Sequence, residues 1–391
     1  MKAPRIAVAS LLCAVALAHT GCSEGAAPAP KMSSLELRDA MRELWTAHVM
    51  WTRVLVVDVA AGLPDTSNAT DRLLRNQVDI GNAIRPFYGD AAADRLSSLL
   101  HDHITVAADV VVAAKAGDTL RLEAAIMVWY ANADDIARFL ADANPYWRYE
   151  DLLAMMRTHL DQTAAEAMAR LHGDWEADIA SYDAIVAHIL HMSDALTDGI
   201  ALQFPDRVSK SSGLTARDEA LHLGMRGLWQ DHVTWTRMFL ISAIAGLPDV
   251  PAVSNRLLRN QDDLGNAVRP FYGDTAADRL TVLLHEHITW AVEVVVAAQL
   301  GDAARLGLAR TAWQANADEI ARFLASANPY WPPEDLRTIM RAHLDQTTAE
   351  ATARLQGDWA GDIRAYDAIV THILHMSDTL SVGLSAQFPE N

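Results

Sequence analysis

Three histidines in the first half of the chain, His48, His103 and His159, are spaced so that their imidazoles could share one ligand. Each falls on an apolar stripe with helical rhythm. The stripes run Leu37, Met41, Leu44, His48, Trp51, Leu55; then Leu96, Leu100, His103, Ala107, Val110, Ala114; then Leu152, Met156, His159, Thr163, Ala167, Leu171. Steps of three and four residues keep one helix face turned toward a core. Each histidine also lies near the midpoint of its predicted helix, so antiparallel packing would bring the rings to one height. Layers of buried imidazoles from several helices are how bundle proteins build metal or haem sites. His188 lies near the middle of a further helix, on the flank of its stripe. Glu166 follows His159 by seven residues on the same face, and Asp194 flanks the stripe of the last helix. Together they form a candidate set for iron, manganese, zinc or copper.

Two other readings stand beside this one. A histidine on an apolar face is commonly a core residue that donates one N–H to a carbonyl or carboxylate, and a layer of them can fix helix register as a hydrogen-bonded network. The layer could also line a pocket for an organic ligand. The Glu-x-x-His pairs of di-iron bundles are absent at these positions, which argues against a di-iron centre. His101-Asp102-His103 resembles a chelating pair, but two residues along a helix turn through about 200°, so both rings cannot reach one ion from one face. Arg53, one residue off the first stripe, is suited to pairing with a carboxylate. Asn132, in a polar mid-helix stretch, needs a partner such as Arg53 or an imidazole. No nucleophile elbow or phosphate-cradling glycine loop occurs, so no catalytic residue is assigned.

The elements that must carry these residues appear twice. Residues 37–206 recur as 221–390 without a gap, identical at 107 of 170 positions. A period this long is a duplicated domain rather than a short solenoid repeat. The second set is therefore His232, His287, His343, Glu350, His372 and Asp378, with Asn316 matching Asn132. Each copy reads as all helix, because no polar–apolar alternation is bounded by hairpin turns. Glycine stops and aspartate caps punctuate six predicted helices in the first copy, at about 34–62, 67–85, 90–116, 118–143, 149–172 and 174–203. The expected architecture is all-α: two tandem antiparallel bundles of about six helices, residues 34–206 and 219–391, joined by a linker at 207–218.

The net charge is −18. That excludes nucleic acid as a natural partner, because phosphates call for a basic footprint. Residues 1–22 read as an export signal. Lys2 and Arg5 precede an apolar run from Ile6 to Ala18 that is too short to span a bilayer. Gly21-Cys22 then resembles a lipobox, with Cys22 as the lipidated residue; His19 departs from its usual leucine. The reading is a membrane-anchored extracytoplasmic lipoprotein with residues 23–33 as tether. The alternative is cleavage after Ala18, giving a soluble secreted or periplasmic protein. The only other cysteine is Cys13, so the folded part holds no thiol, and disulfides or cysteine-ligated metals are excluded there. An envelope protein is the expected class of macromolecular partner. The cofactor stays open between a transition metal and haem.

The succession LWxxHVxWTR, RLLRNQ, RPFYGD, NADEIARFL, HLDQT and QFP resembles an uncharacterised family of small bacterial all-helical proteins, whose members usually hold one copy of this unit. The resemblance covers both copies nearly end to end. It implies an all-helical domain and carries over no activity and no site residue.

Overall fold

The computed structural model describes residues 31–209 and 211–390. The expected export segment, Cys22 and most of the tether lie outside the described residues. From Met32 onward the chain forms one compact unit. It is all-α, in two bundle-like halves. The first half holds α1 (Ser34–Ala61), α2 (Thr66–Ala116), α3 (Thr119–Ala143), α4 (Tyr149–His172) and α5 (Trp175–Gln203). The second holds α6 (Ala216–Ala245), α7 (Val250–Gln299), α8 (Ala303–Ala327), α9 (Pro333–Leu355) and α10 (Trp359–Gln387). In each half, successive helices pack on one another and the last returns to the first, closing a ring.

Local chemistry sets the helix ends. Ser33 caps α1 in a reciprocal capping box with Glu36, and Gly62 ends it in the left-handed conformation. Asp118, Asp174, Asp302 and Asp358 each accept a backbone N–H in the first turn of the helix that follows. The helices expected at 67–85 and 90–116 prove to be two arms of α2, meeting at a kink. Pro86 lacks the N–H for a helical bond, and Gly89 takes φ 80 and ψ 178, a region that a side chain would strain. Gly273 repeats this in α7. The kink is anchored: the Tyr88 hydroxyl donates to Gln203 and accepts from Asn144, and its ring packs edge-on to Phe204.

Stretches of α2 and α7 are apolar and long enough to cross a membrane, yet about half of each stretch is buried inside the protein. The only strands among the described residues are β1 (Met32–Ser33) and β2 (Val208–Ser209). They pair in parallel, joining the start of the fold to the segment between the copies.

The two halves share a core. One hydrophobic cluster holds Trp51, Val54 and Leu55 of α1 together with Trp235, Met238 and Phe239 of α6 and Tyr366 of α10. Residues 48–58 of α1 are buried without interruption, as are 232–242 of α6. A helix segment buried on every side needs cover on every side, and each holds an apolar run, 54–57 and 238–241. Here one side faces its own bundle and the other side faces the second copy. Trp51 meets the Tyr366 ring edge-on, and Tyr182 meets Trp235 likewise, so the contact is self-complementary about a local two-fold.

Candidate functional site

The helices bring His48, His103 and His159 together. Their ring centres are 6.5 Å apart for His48–His103, 5.6 Å for His48–His159 and 6.1 Å for His103–His159. In the second copy, His343 lies 5.6 Å from His232 and 6.0 Å from His287. All six rings are buried. Trp45 and Trp129 close the first layer against His48 and His103; Trp229 and Trp313 do so in the second.

Burial decides the charge of these rings. Desolvation disfavours imidazolium. It pushes His48 and His232 down to about 3, helped by the neighbouring His103 or His287. His103 and His287 fall to about 4 against the opposing pull of Asn132 or Asn316. His159 and His343 fall well below the usual histidine range, by burial and by the other imidazoles. At neutral pH the layer is therefore six neutral rings, each with one N–H and one lone pair.

One tautomer follows from the network. Asn132 gives its amide N–H to the Leu99 carbonyl at 3.0 Å, so its oxygen faces His103 Nδ1 at 2.8 Å. That nitrogen must donate, which leaves the His103 lone pair on Nε2. Asn316, Leu283 and His287 repeat the arrangement. The Nδ1 atoms of His159 and His343 have no protein partner, and Gln77 stands beside His48. Gln261 Nε2 lies 3.2 Å from His232 Nδ1. Neither Gln77 nor Gln261 was singled out from the sequence; the adjacent polar pair Asn76-Gln77, between the core residues Leu73 and Ile80, was the available signal.

The second layer borders a cavity. His232, His287 and His343 line it with Phe239, Val295 and Trp313, and it leaves ≈ 30 Å³ for water-sized spheres. That is room for about one water, and nearly all of the exposed lining is apolar.

The other expected ligands are engaged elsewhere. Glu166 accepts from Arg53 at 2.6 Å rather than from an imidazole, and Arg53 also forks onto Asp178 at 2.9 and 3.1 Å. Glu350, Arg237 and Asp362 form the matching triad. Burial pushes Glu166 and Glu350 up to about 7, against the pull of their arginines. His188 donates from Nε2 to the Met155 carbonyl, and His372 to that of Ile339. Asp194 is forked onto Arg42, and Asp378 onto Arg226. His101 is exposed, on the opposite side of α2 from His103.

Among the described residues no group of three or more histidine, cysteine, aspartate or glutamate side chains is arranged to hold an ion. Bonds of about 2 Å at the tetrahedral angle would place ring centres roughly 5 Å apart, so the rings would have to close inward. Compared with known proteins, the chain matches no family model, no curated protein and no solved structure.

Proposed function

We propose that the protein is held at the extracytoplasmic face of a membrane by a lipid on Cys22, and that each half binds a transition-metal ion or metal cofactor at its imidazole layer. His48, His103 and His159 serve the first half, and His232, His287 and His343 the second. The observation that carries the reading is three buried neutral rings facing one another with unpartnered nitrogens. Imidazoles that stay unprotonated down to about pH 4 keep their lone pairs for a metal over the whole physiological range. Asn132 and Asn316 supply the outer hydrogen bond that fixes the tautomer of a ligating ring. Glu166, Glu350, Asp194, Asp378, His188 and His372, bound to other groups, are not needed in the first coordination shell; the fourth position falls to water or a small ligand.

A second reading is a structural polar layer in a partner-binding envelope protein. The present ring separations favour it, being wider than a shared ion needs. Metal analysis of the full chain, purified without chelator and after reconstitution with zinc, copper or iron, separates the two. The metal reading expects about two equivalents of one metal, lost when His103→Ala and His287→Ala are combined. A protein that stays metal-free after reconstitution, with the double variant merely less stable, overturns it.

A further inference from the structure

The junction between the copies carries a second set of buried titratable groups, and its two ends differ. At one end Arg170 of the first copy binds Asp249 of the second, and Ser242 Oγ donates to the same Asp249 oxygen at 3.1 Å. At the other end Arg354 of the second copy binds Asp65 of the first at 2.9 Å. The residue equivalent to Ser242 is Asp58, 184 positions earlier. A hydroxyl donor has thus been exchanged for a carboxyl group beside another carboxylate.

Asp58 is fully buried, and neither of its oxygens has a partner. Two ionised carboxylates side by side in a dry interior repel, and one arginine already shared with Asp362 cannot neutralise them all. A single proton resolves the conflict, because a neutral carboxyl can donate where the serine hydroxyl donates in the other half. We propose that Asp58 is a proton-binding site: in the folded protein it is a neutral acid that donates to Asp65, and so keeps the Asp65–Arg354 bridge between the copies intact.

The charged surroundings agree. Around Asp58 stand Asp65 at the start of α2, Arg354 on α9, Arg237 on α6 and Asp362 on α10; Lys115, at the end of α2, is committed to the Val59 carbonyl. Burial first, and Asp65 second, push Asp58 up to about 8 against the two arginines. The unfolded chain releases this proton near pH 4. Between those values the folded form holds one more proton than the unfolded form, so the site's contribution to stability falls steadily as pH rises from about 4 to about 8 and is level above.

The test uses the full chain and Asp58→Asn, which keeps a donor toward Asp65 and cannot ionise. The variant should lose a protonated-carboxyl C=O stretch from the infrared difference spectrum at pH 7. Its Tm should rise relative to the unsubstituted protein as pH climbs from about 4 to about 8, and then keep a constant lead. Should the amide disturb folding, Asp58→Ser copies the pairing seen at Ser242 and should give the same pH-dependent difference. An unchanged infrared band, or a Tm difference that does not vary across this window, overturns the proposal.

Discussion

The two imidazole layers match residue for residue, whereas the junction between the copies does not. His48, His103, His159, Asn132, Trp45 and Trp129 all have identical counterparts in the second half. In contrast residues 54–60 (VLVVDVA) differ at every position from 238–244 (MFLISAI), although most of both stretches is buried. Burial alone therefore does not explain sameness. A layer of facing rings restricts each ring through its neighbours, as does the buried arginine–carboxylate triad beside it. The junction obeys a different rule. In a dimer of identical chains one residue must serve both sides of the two-fold; in a tandem chain each side can change separately. Asp58 where the second copy has Ser242 is one result. Met50 where it has Thr234 is another: within the second copy Thr234 lies 3.3 Å from the Tyr366 hydroxyl, while the Tyr182 hydroxyl of the first has no partner.

The sharpest way to break this comparison is at the shared triads. Arg53→Met and Arg237→Met each leave two buried carboxylates without their main partner, and each should cost about 3–5 kcal/mol in chemical denaturation. If the halves are equivalent here, the two losses agree; strongly unequal losses would show that the triads have diverged like the junction.

The layers should show themselves in acid. The unfolded chain protonates its histidines near pH 6.5, whereas His48 and His232 stay neutral in the fold down to about 3. Their depressed values make stability fall as pH drops below about 6.5, by about 2 kcal/mol per ring at pH 5. His48→Gln and His232→Gln should each flatten the acid limb of a pH–stability curve by one proton. An acid limb left as steep in both variants would contradict the buried neutral state.

The smallest effect serves as a control on equivalence. Asp118 accepts from Arg121 N at 3.1 Å and Asp302 from Arg305 N at 3.0 Å. Asp118→Ala and Asp302→Ala should each lower stability by about 1 kcal/mol, by the same amount in either half. Thermal melts that differ clearly between them would mean that the outer helices, too, have parted company.

Much of this was legible in the sequence. The stripes through His48, His103 and His159 fixed both the face and the height of each ring, because a regular helix converts spacing into position. Arg53 and Asn132 called for partners and have them in Asp178 and His103. Glu166 shows the limit. Seven residues beyond His159 it shares a face, but it also stands two turns, about 10 Å, further along the axis. That is enough to reach Arg53 instead of an imidazole. The kink at Gly89 read as a helix end because proline and glycine signal a stop equally well when a helix only bends. The meeting face of the copies was signalled too, by segments apolar on every side at 54–57 and 238–241, but periodicity cannot say what covers the second side.

The short path from Phe204 to Thr215 has a consequence for how the two halves hold together. An assembly of two separate chains weakens on dilution, since its partners must find each other again. Here each half meets the other at an effective concentration in the millimolar range, set by the linker between the copies and not by the number of molecules present. The junction would stay closed as firmly at high dilution as in a crowded suspension.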